Sequence, residues 1–246
     1  MFRRRWPLYQ FPQSDALEEM ASLVPNDFRF AFKVTDEITV KRFPMILRLG
    51  ARAGLDNPNF LNADLFVSKF LQPCEGMRSK IGLIMFEFSP FSQADFARGS
   101  EFASALDRFL GGLPAGWPLG VEIRNATFLR PEYFGVLTRH NVTHVYNSWT
   151  RMPPLPEQWA LLESRTNPGL WAARLLLRPG RKYEEAVKLF SPYETVKDAY
   201  PEAVAAAGTI INEARKSAGR TQAFIFVNNR LEGNSLQTIT RILEGL

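Results

Sequence analysis

Six short apolar runs, centred near residues 31, 85, 122, 145, 174 and 225, alternate along the chain with helical patterns. Strand, helix, strand in regular succession implies parallel strands joined by helical crossovers. The run at 81–88 is almost continuously apolar, which marks a strand covered on both faces, and only Glu87 interrupts it near its C-terminal end. Helix signals separate these runs. Ser14-Asp15 starts an apolar stripe of Leu17, Met20, Leu23 and Val24 that Pro25 stops. Asn57-Pro58 starts a second helix, Ser92 with Asp95 resembles a capping box, and Gly111-Gly112 ends the helix behind it. Pro131 opens the next helix, and later ones are expected near 157–163, 182–190, 200–218 and 236–246. Residues 35–57 read as mostly irregular.

No glycine-rich dinucleotide fingerprint follows the first strand, which argues against a Rossmann domain and leaves no cofactor motif. A parallel (β/α) barrel of the TIM-barrel kind, as a single domain over 1–246, suits the length and the alternation better. Such a barrel has eight strands against the six counted here. No later gap holds two more units, so the shortfall falls at the N-terminus.

Within this frame the segment Gly120-Val-Glu-Ile-Arg-Asn125 is the most informative. A strand sends alternate side chains to opposite faces, so Glu122 and Arg124 point one way and Val121 and Ile123 the other. Burying an acid and a base side by side is costly unless they pair or hold a ligand.

Several further stretches carry a family resemblance. They are Phe28-Arg-Phe-Ala-Phe-Lys33 with Glu37-Ile-Thr39, Val121-Glu-Ile-Arg-Asn125, Arg174-Leu-Leu-Leu-Arg178-Pro-Gly-Arg-Lys-Tyr183, and Phe226-Val-Asn-Asn229-Arg-Leu-Glu-Gly233-Asn234. In this order they resemble the YecE-like family (domain of unknown function seventy-two), from about Tyr9 to the C-terminus. The resemblance implies a TIM-barrel-like fold and a protein without an established activity. Two departures from the family pattern stand out. The usual Gly-Thr-Ser-Gly-Trp strand and the second strand ending in Asn-Ser-Thr-Phe-Tyr are missing, although residues 6–11 resemble the second strand's exit. This fits either a start recorded too far downstream or a truncated, inactive member with open barrel edges. The other departure is Glu87, where the family more often has Gln.

Sites in α/β barrels lie at the C-terminal strand ends. The polar residues expected there are Lys33, Glu87, Glu122, Arg124, Asn125, Asn147, Arg174, Arg178, Asn228 and Asn229. Arg174 and Arg178 are expected to share a strand face. Arg178, Arg181 and Lys182 flank the Pro179-Gly180 turn, and Asn234 follows Gly233 in the last loop. The loops after the last two strands of this fold often hold phosphate, so an anionic, plausibly phosphorylated, small molecule is the leading ligand class. Glu122 and Glu87 are the candidate acid and base. The alternatives stay open at this stage: a buried structural network around Glu122, a turn pair at Asn228-Asn229 that caps the last helix, and a solvated helix start at Arg181-Lys182.

The net charge of +5 suits anionic partners, and equally a solvated surface. A nucleic-acid-binding or phosphodiester-processing barrel that also uses Arg3–Arg5 is the second function class. His140 and His144 straddle a helix end and a strand, which is a poor metal pair. Cys74 alone permits no internal disulfide and suggests a reducing, cytoplasmic setting; following Pro73 in an expected loop without a basic partner, it is no catalytic thiol. No run is long enough for a membrane span, and residues 1–6 lack the apolar region of a secretory signal. The sequence leaves the oligomeric state open.

Overall fold

The computed structural model describes residues 10–246. The readings placed on Arg3–Arg5, on the absence of a secretory signal in residues 1–6 and on most of residues 6–11 therefore lie outside the described residues. Two compact units make up the chain, Met1–Leu119 and Gly120–Leu246.

In the first unit the elements are α1 (Ser14–Ser22), β1 (Phe30–Lys33), α2 (Asp36–Thr39), α3 (Ala63–Phe66), α4 (Gln72–Cys74), β2 (Ile81–Phe88) and α5 (Gly99–Gly111). Strands β1 and β2 pair in parallel, with Lys33 opposite Met85. The apolar run of β2 is buried along nearly its whole length, as its composition requires. Phe66, Phe86 and Phe109 pack ring against ring from α3, β2 and α5, with centroids 4.9 and 5.2 Å apart.

The second unit carries β3 (Leu119–Ile123), α6 (Pro131–Arg139), β4 (Thr143–Ser148), α7 (Leu155–Ala160), β5 (Leu170–Leu175), α8 (Tyr183–Phe190), α9 (Pro201–Lys216), β6 (Gln222–Val227) and α10 (Ser235–Glu244). Strands β3 to β6 pair in parallel and in chain order. Proline stands at the first turn of α6 and α9, where its missing N–H costs nothing. The alanine face of α9, including Ala203 and Ala207, joins Ala173 and Leu175 of β5 in one core. Alternation along β5 then sends Ala172 and Arg174 to the opposite face. The fold class is α/β and TIM-barrel-like, with six strands among the described residues. No helix among them is long and apolar enough to cross a membrane.

Several local expectations are corrected. Residues 58–61 form turns, and the helix starts five residues later than Asn57-Pro58 suggested. Asn57 spends its side chain on the carbonyls of Glu37 and Val40, at 2.8 and 2.7 Å, so it is buried as a loop staple. Asn62 is the cap instead, accepting from the Leu65 N–H at 2.9 Å. The box at Ser92 forms, with the Asp95 carboxylate accepting from the Ser92 N–H at 2.9 Å, yet it closes a turn and α5 begins only at Gly99. Residues 35–57 hold α2 and a short 3₁₀ segment at Leu47–Arg52. Cys74 ends the one-turn helix α4 and is buried there. Finally, β5 stops at Leu175, so Arg178 lies beyond the strand and shares no strand face with Arg174.

Candidate functional site: guanidiniums at the strand ends

Glu122 is fully buried at the end of β3. Its Oε1 accepts from Arg124 Nε at 2.9 Å and its Oε2 from Arg174 Nη1 on β5. One carboxylate therefore fixes Arg124, just past β3, and Arg174 on β5, and both arginine side chains are largely covered, at 10% and 17% exposure. The Arg124 guanidinium also lies over the Trp149 ring at 3.9 Å, a cation–π contact that restrains its plane.

Between these strands, Asn147 stands opposite Arg174 in the β4–β5 register. Its Nδ2 donates to the Ile123 carbonyl at 3.0 Å, while its Oδ1 is buried without a hydrogen-bond donor among the described residues. Gln158 of α7 secures the β4 end, donating to the carbonyls of Asn147 and Pro153 at 2.6 Å each.

The loops that leave β4 and β5 are stitched together. Leu177 N–H donates to Ser148 O at 3.0 Å, Gly180 N–H to Thr150 O at 2.9 Å, and Thr150 Oγ1 to Arg181 O at 2.8 Å. Gly180 takes φ of 84°, a backbone state that side chains disfavour, and this lets the chain turn between the two arginines. Trp149 packs against the cluster of Leu176, Leu177, Ala186 and Phe190. Arg178 and Arg181 both reach Asp198: Arg178 Nη1 donates to Oδ1 at 3.3 Å, and Arg181 Nη2 donates to Oδ2. Their guanidiniums lie over Tyr200 and Phe190, at 4.9 and 5.1 Å from the ring centres. Arg181 Nη1 is buried and finds no acceptor among the described residues.

A second buried acid holds the loop that carries Asp198. Glu232 is fully buried; its carboxylate accepts from Tyr200 N–H, from Thr238 Oγ1 at 2.7 Å and from Arg241 Nη1 at 3.0 Å. Its backbone carbonyl accepts from the Lys197 and Asp198 N–H groups at 2.8 and 3.3 Å. Burial raises the Tyr200 hydroxyl pKa, with Glu202 adding to it and Arg178 opposing it. Burial likewise pushes Tyr133 well above its ordinary value, helped by the negative charge of Glu122.

The remaining expected site residues are placed as follows. Asn228 Oδ1 accepts from Arg230 N–H at 3.0 Å and Asn229 Oδ1 from Ser235 N–H at 2.7 Å, so both shape the last loop. Asn234 caps α10, accepting from Gln237 N–H at 2.9 Å. Lys182 precedes α8 as an exposed residue, and its N–H donates to Glu185. Asn125, beyond β3, accepts from Phe128 N–H at 3.0 Å through its carbonyl. In the first unit, Lys33 lies 3.5 Å from Asp36 and 3.6 Å from Glu87. His144 is buried against Tyr133, and no group of three metal-ligating side chains occurs among the described residues. Sequence reasoning missed Asp198, Trp149, Tyr200 and the role of Glu232. Asp198 lies in an irregular loop with no pattern to flag it, whereas Glu232 sat inside a motif already singled out.

Fold and site together define an α/β barrel-like protein whose strand-end loops gather arginines around buried acids. The chain belongs to the DUF72 family, described as a protein family of unknown function, whose sequence profile matches residues 7–246. Two solved structures are similar. A DUF72 family protein from Enterococcus faecalis is 14% identical, with 96% of this chain and 81% of that one covered at a TM-score of 0.63. A DUF72 family protein from Thermotoga maritima is 17% identical, with 96% and 80% covered at a TM-score of 0.59. At these identities the likeness speaks for the fold alone. Among curated proteins, no match is found.

Proposed function

We propose that the second unit binds a small anion, a phosphorylated metabolite in the first instance, in the loops after β4 and β5. The observation that carries this reading is the Arg178–Asp198–Arg181 cluster, where two guanidiniums share one carboxylate and Arg181 retains a buried donor. A buried donor without an acceptor is costly, and a phosphate oxygen is the acceptor that suits a guanidinium best. Arg178 is 37% exposed on its side chain, so the cluster is open to solvent on one side.

Arg124, Arg174 and Asn147 form the neighbouring wall in this reading. Both oxygens of Glu122 are engaged by guanidiniums, which makes it a positioning group for Arg124 and Arg174.

Thermal melts of the full chain with inorganic phosphate, a sugar phosphate and a short oligonucleotide test the proposal. Phosphate and the sugar phosphate should raise Tm in the wild type and not in the Arg178→Gln/Arg181→Gln double variant. Stabilisation by the oligonucleotide alone, falling steeply with salt as many counterions are released, would support the nucleic-acid reading instead. No response to any of the three would sink both.

A further inference from the structure

We infer that the first unit holds a separate binding site for an aryl carboxylate, in a cavity between α5 and the loops before α3 and α5. The cavity measures about 430 Å³, and Phe60, Leu61, Phe96, Ala105 and Phe109 contribute the apolar part of its lining. That volume lies in the range of small-molecule pockets. Two lining residues, Lys41 and Arg108, are cationic and none is acidic. A neutral apolar ligand would use only the wall, and a hydrated ion such as phosphate only the cations. An aromatic ring bearing one carboxylate uses both.

The geometry favours this class in three respects. Phe60 is only half-buried and packs on Phe96 at 6.2 Å with a tilt of 48°, so the exposed part of its ring is the surface an aromatic guest can meet. Lys41 Nζ sits 3.8 Å over the Phe96 ring while donating to the Asp95 backbone carbonyl, so its ammonium is fixed at the wall and keeps further N–H donors. The Asp95 carboxylate turns away to Ser92, accepting from its N–H at 2.9 Å and its Oγ at 2.7 Å, and so does not take up the lysine charge. Arg108 is exposed on the same face of α5 as Ala105, three residues earlier, where it can close over a bound carboxylate.

The test is calorimetric titration of the full chain with 2-naphthoate, 2-naphthylmethanol and 2-naphthylmethylamine. The carboxylate should bind about tenfold more tightly than the alcohol and more tightly still than the amine. Lys41→Gln and Arg108→Gln should each weaken it about threefold, as partly exposed charge pairs do. Ala105→Trp should fill the cavity and abolish binding; Arg108→Gln, on an exposed helix face, is the variant whose folding is least at risk. The Arg178→Gln/Arg181→Gln variant should bind naphthoate unchanged. Equal affinity for the three probes, no binding up to the solubility limit, unchanged binding in Ala105→Trp, or loss of binding in the Arg178/Arg181 variant would each overturn the assignment.

Discussion

Acidification should destabilise the second unit through His144. The ring is 1% exposed on β4, edge-on to Tyr133, Phe134 and Tyr146 at centroid distances of 5.7, 5.3 and 4.9 Å. Its Nδ1 is 3.1 Å from the Tyr133 hydroxyl, which itself lies 3.4 Å from the Val121 carbonyl. Nε2 is buried with no partner among the described residues. The tautomer that satisfies most groups has Nδ1–H donating to Tyr133, whose O–H donates to Val121, leaving Nε2 as an unprotonated acceptor. A second proton would have to sit on Nε2 with nothing to receive it, and burial accordingly lowers the pKa from 6.5 to about 3. Between these values the unfolded chain carries a proton that the folded chain does not. The stabilisation is thus complete above pH 6.5 and is lost as pH falls toward 3. From pH 7 to 5 the loss is about 2 kcal/mol, at ~1.36 kcal/mol per pH unit below the unfolded pKa. Urea midpoints at fixed, high ionic strength in wild type and His144→Phe would measure it. The phenylalanine keeps the ring packing and cannot titrate, so its stability should be nearly flat over this range. A flat wild type, or equal slopes in the two proteins, would refute the argument.

Three other outcomes follow from the same geometry. Glu122→Gln removes the negative charge at the centre of a covered Arg–Glu–Arg set, which should cost about 3 kcal/mol and lower Tm by roughly 6–12 °C for a chain of this size; a loss below about 1 kcal/mol would mean that water already screens the pair. Asn234→Ala removes the α10 cap together with its bonds to the carbonyls of Tyr193 and Glu194, and should cost about 1–2 kcal/mol in chemical denaturation. Cys74 is buried in α4, and burial followed by the neighbouring Glu75 pushes its thiol up to about 12, so alkylation at pH 8 should proceed at the unfolding-limited rate; rapid native-state labelling would contradict that placement.

Much of this fold could be read from the apolar periodicity, because strand burial leaves a direct mark on composition. The almost continuous apolar run of β2 and the short runs near 145 and 174 are buried where they were expected. Glu122 and Arg124 were also legible as partners, since period-two alternation alone puts them on one face, and they meet at 2.9 Å. The same rule failed for Arg174 and Arg178. Counting by twos assumes that the strand continues, whereas Leu177 N–H turns to Ser148 O and the Pro179-Gly180 turn follows. Asn57-Pro58 misled for a related reason: a helix signal is local, while Asn57 is claimed by carbonyls of residues 37 and 40. Asp198 was invisible because its importance comes from two arginines 17 and 20 residues away, a distance over which no pattern operates.

The two fully buried glutamates of the second unit divide the labour with the arginines in a way that can be tested. Glu122 fixes Arg124 and Arg174, and Glu232 fixes the loop from which Asp198 holds Arg178 and Arg181. In the proposed reading neither glutamate meets the anion. Their effect is to orient the guanidiniums during folding, so that little conformational entropy remains to be lost on binding. Substituting Glu122 or Glu232 should therefore lower the melting temperature first and anion affinity only as a consequence. Arg178 and Arg181 are the reverse case. Arg178 is partly exposed, and Arg181 carries a buried donor without an acceptor among the described residues. Replacing the pair by Gln should cost affinity with little loss of stability. If stability and affinity fall together in both sets of variants, the arginines are structural members of the same network as the glutamates, and the anion site must be sought elsewhere.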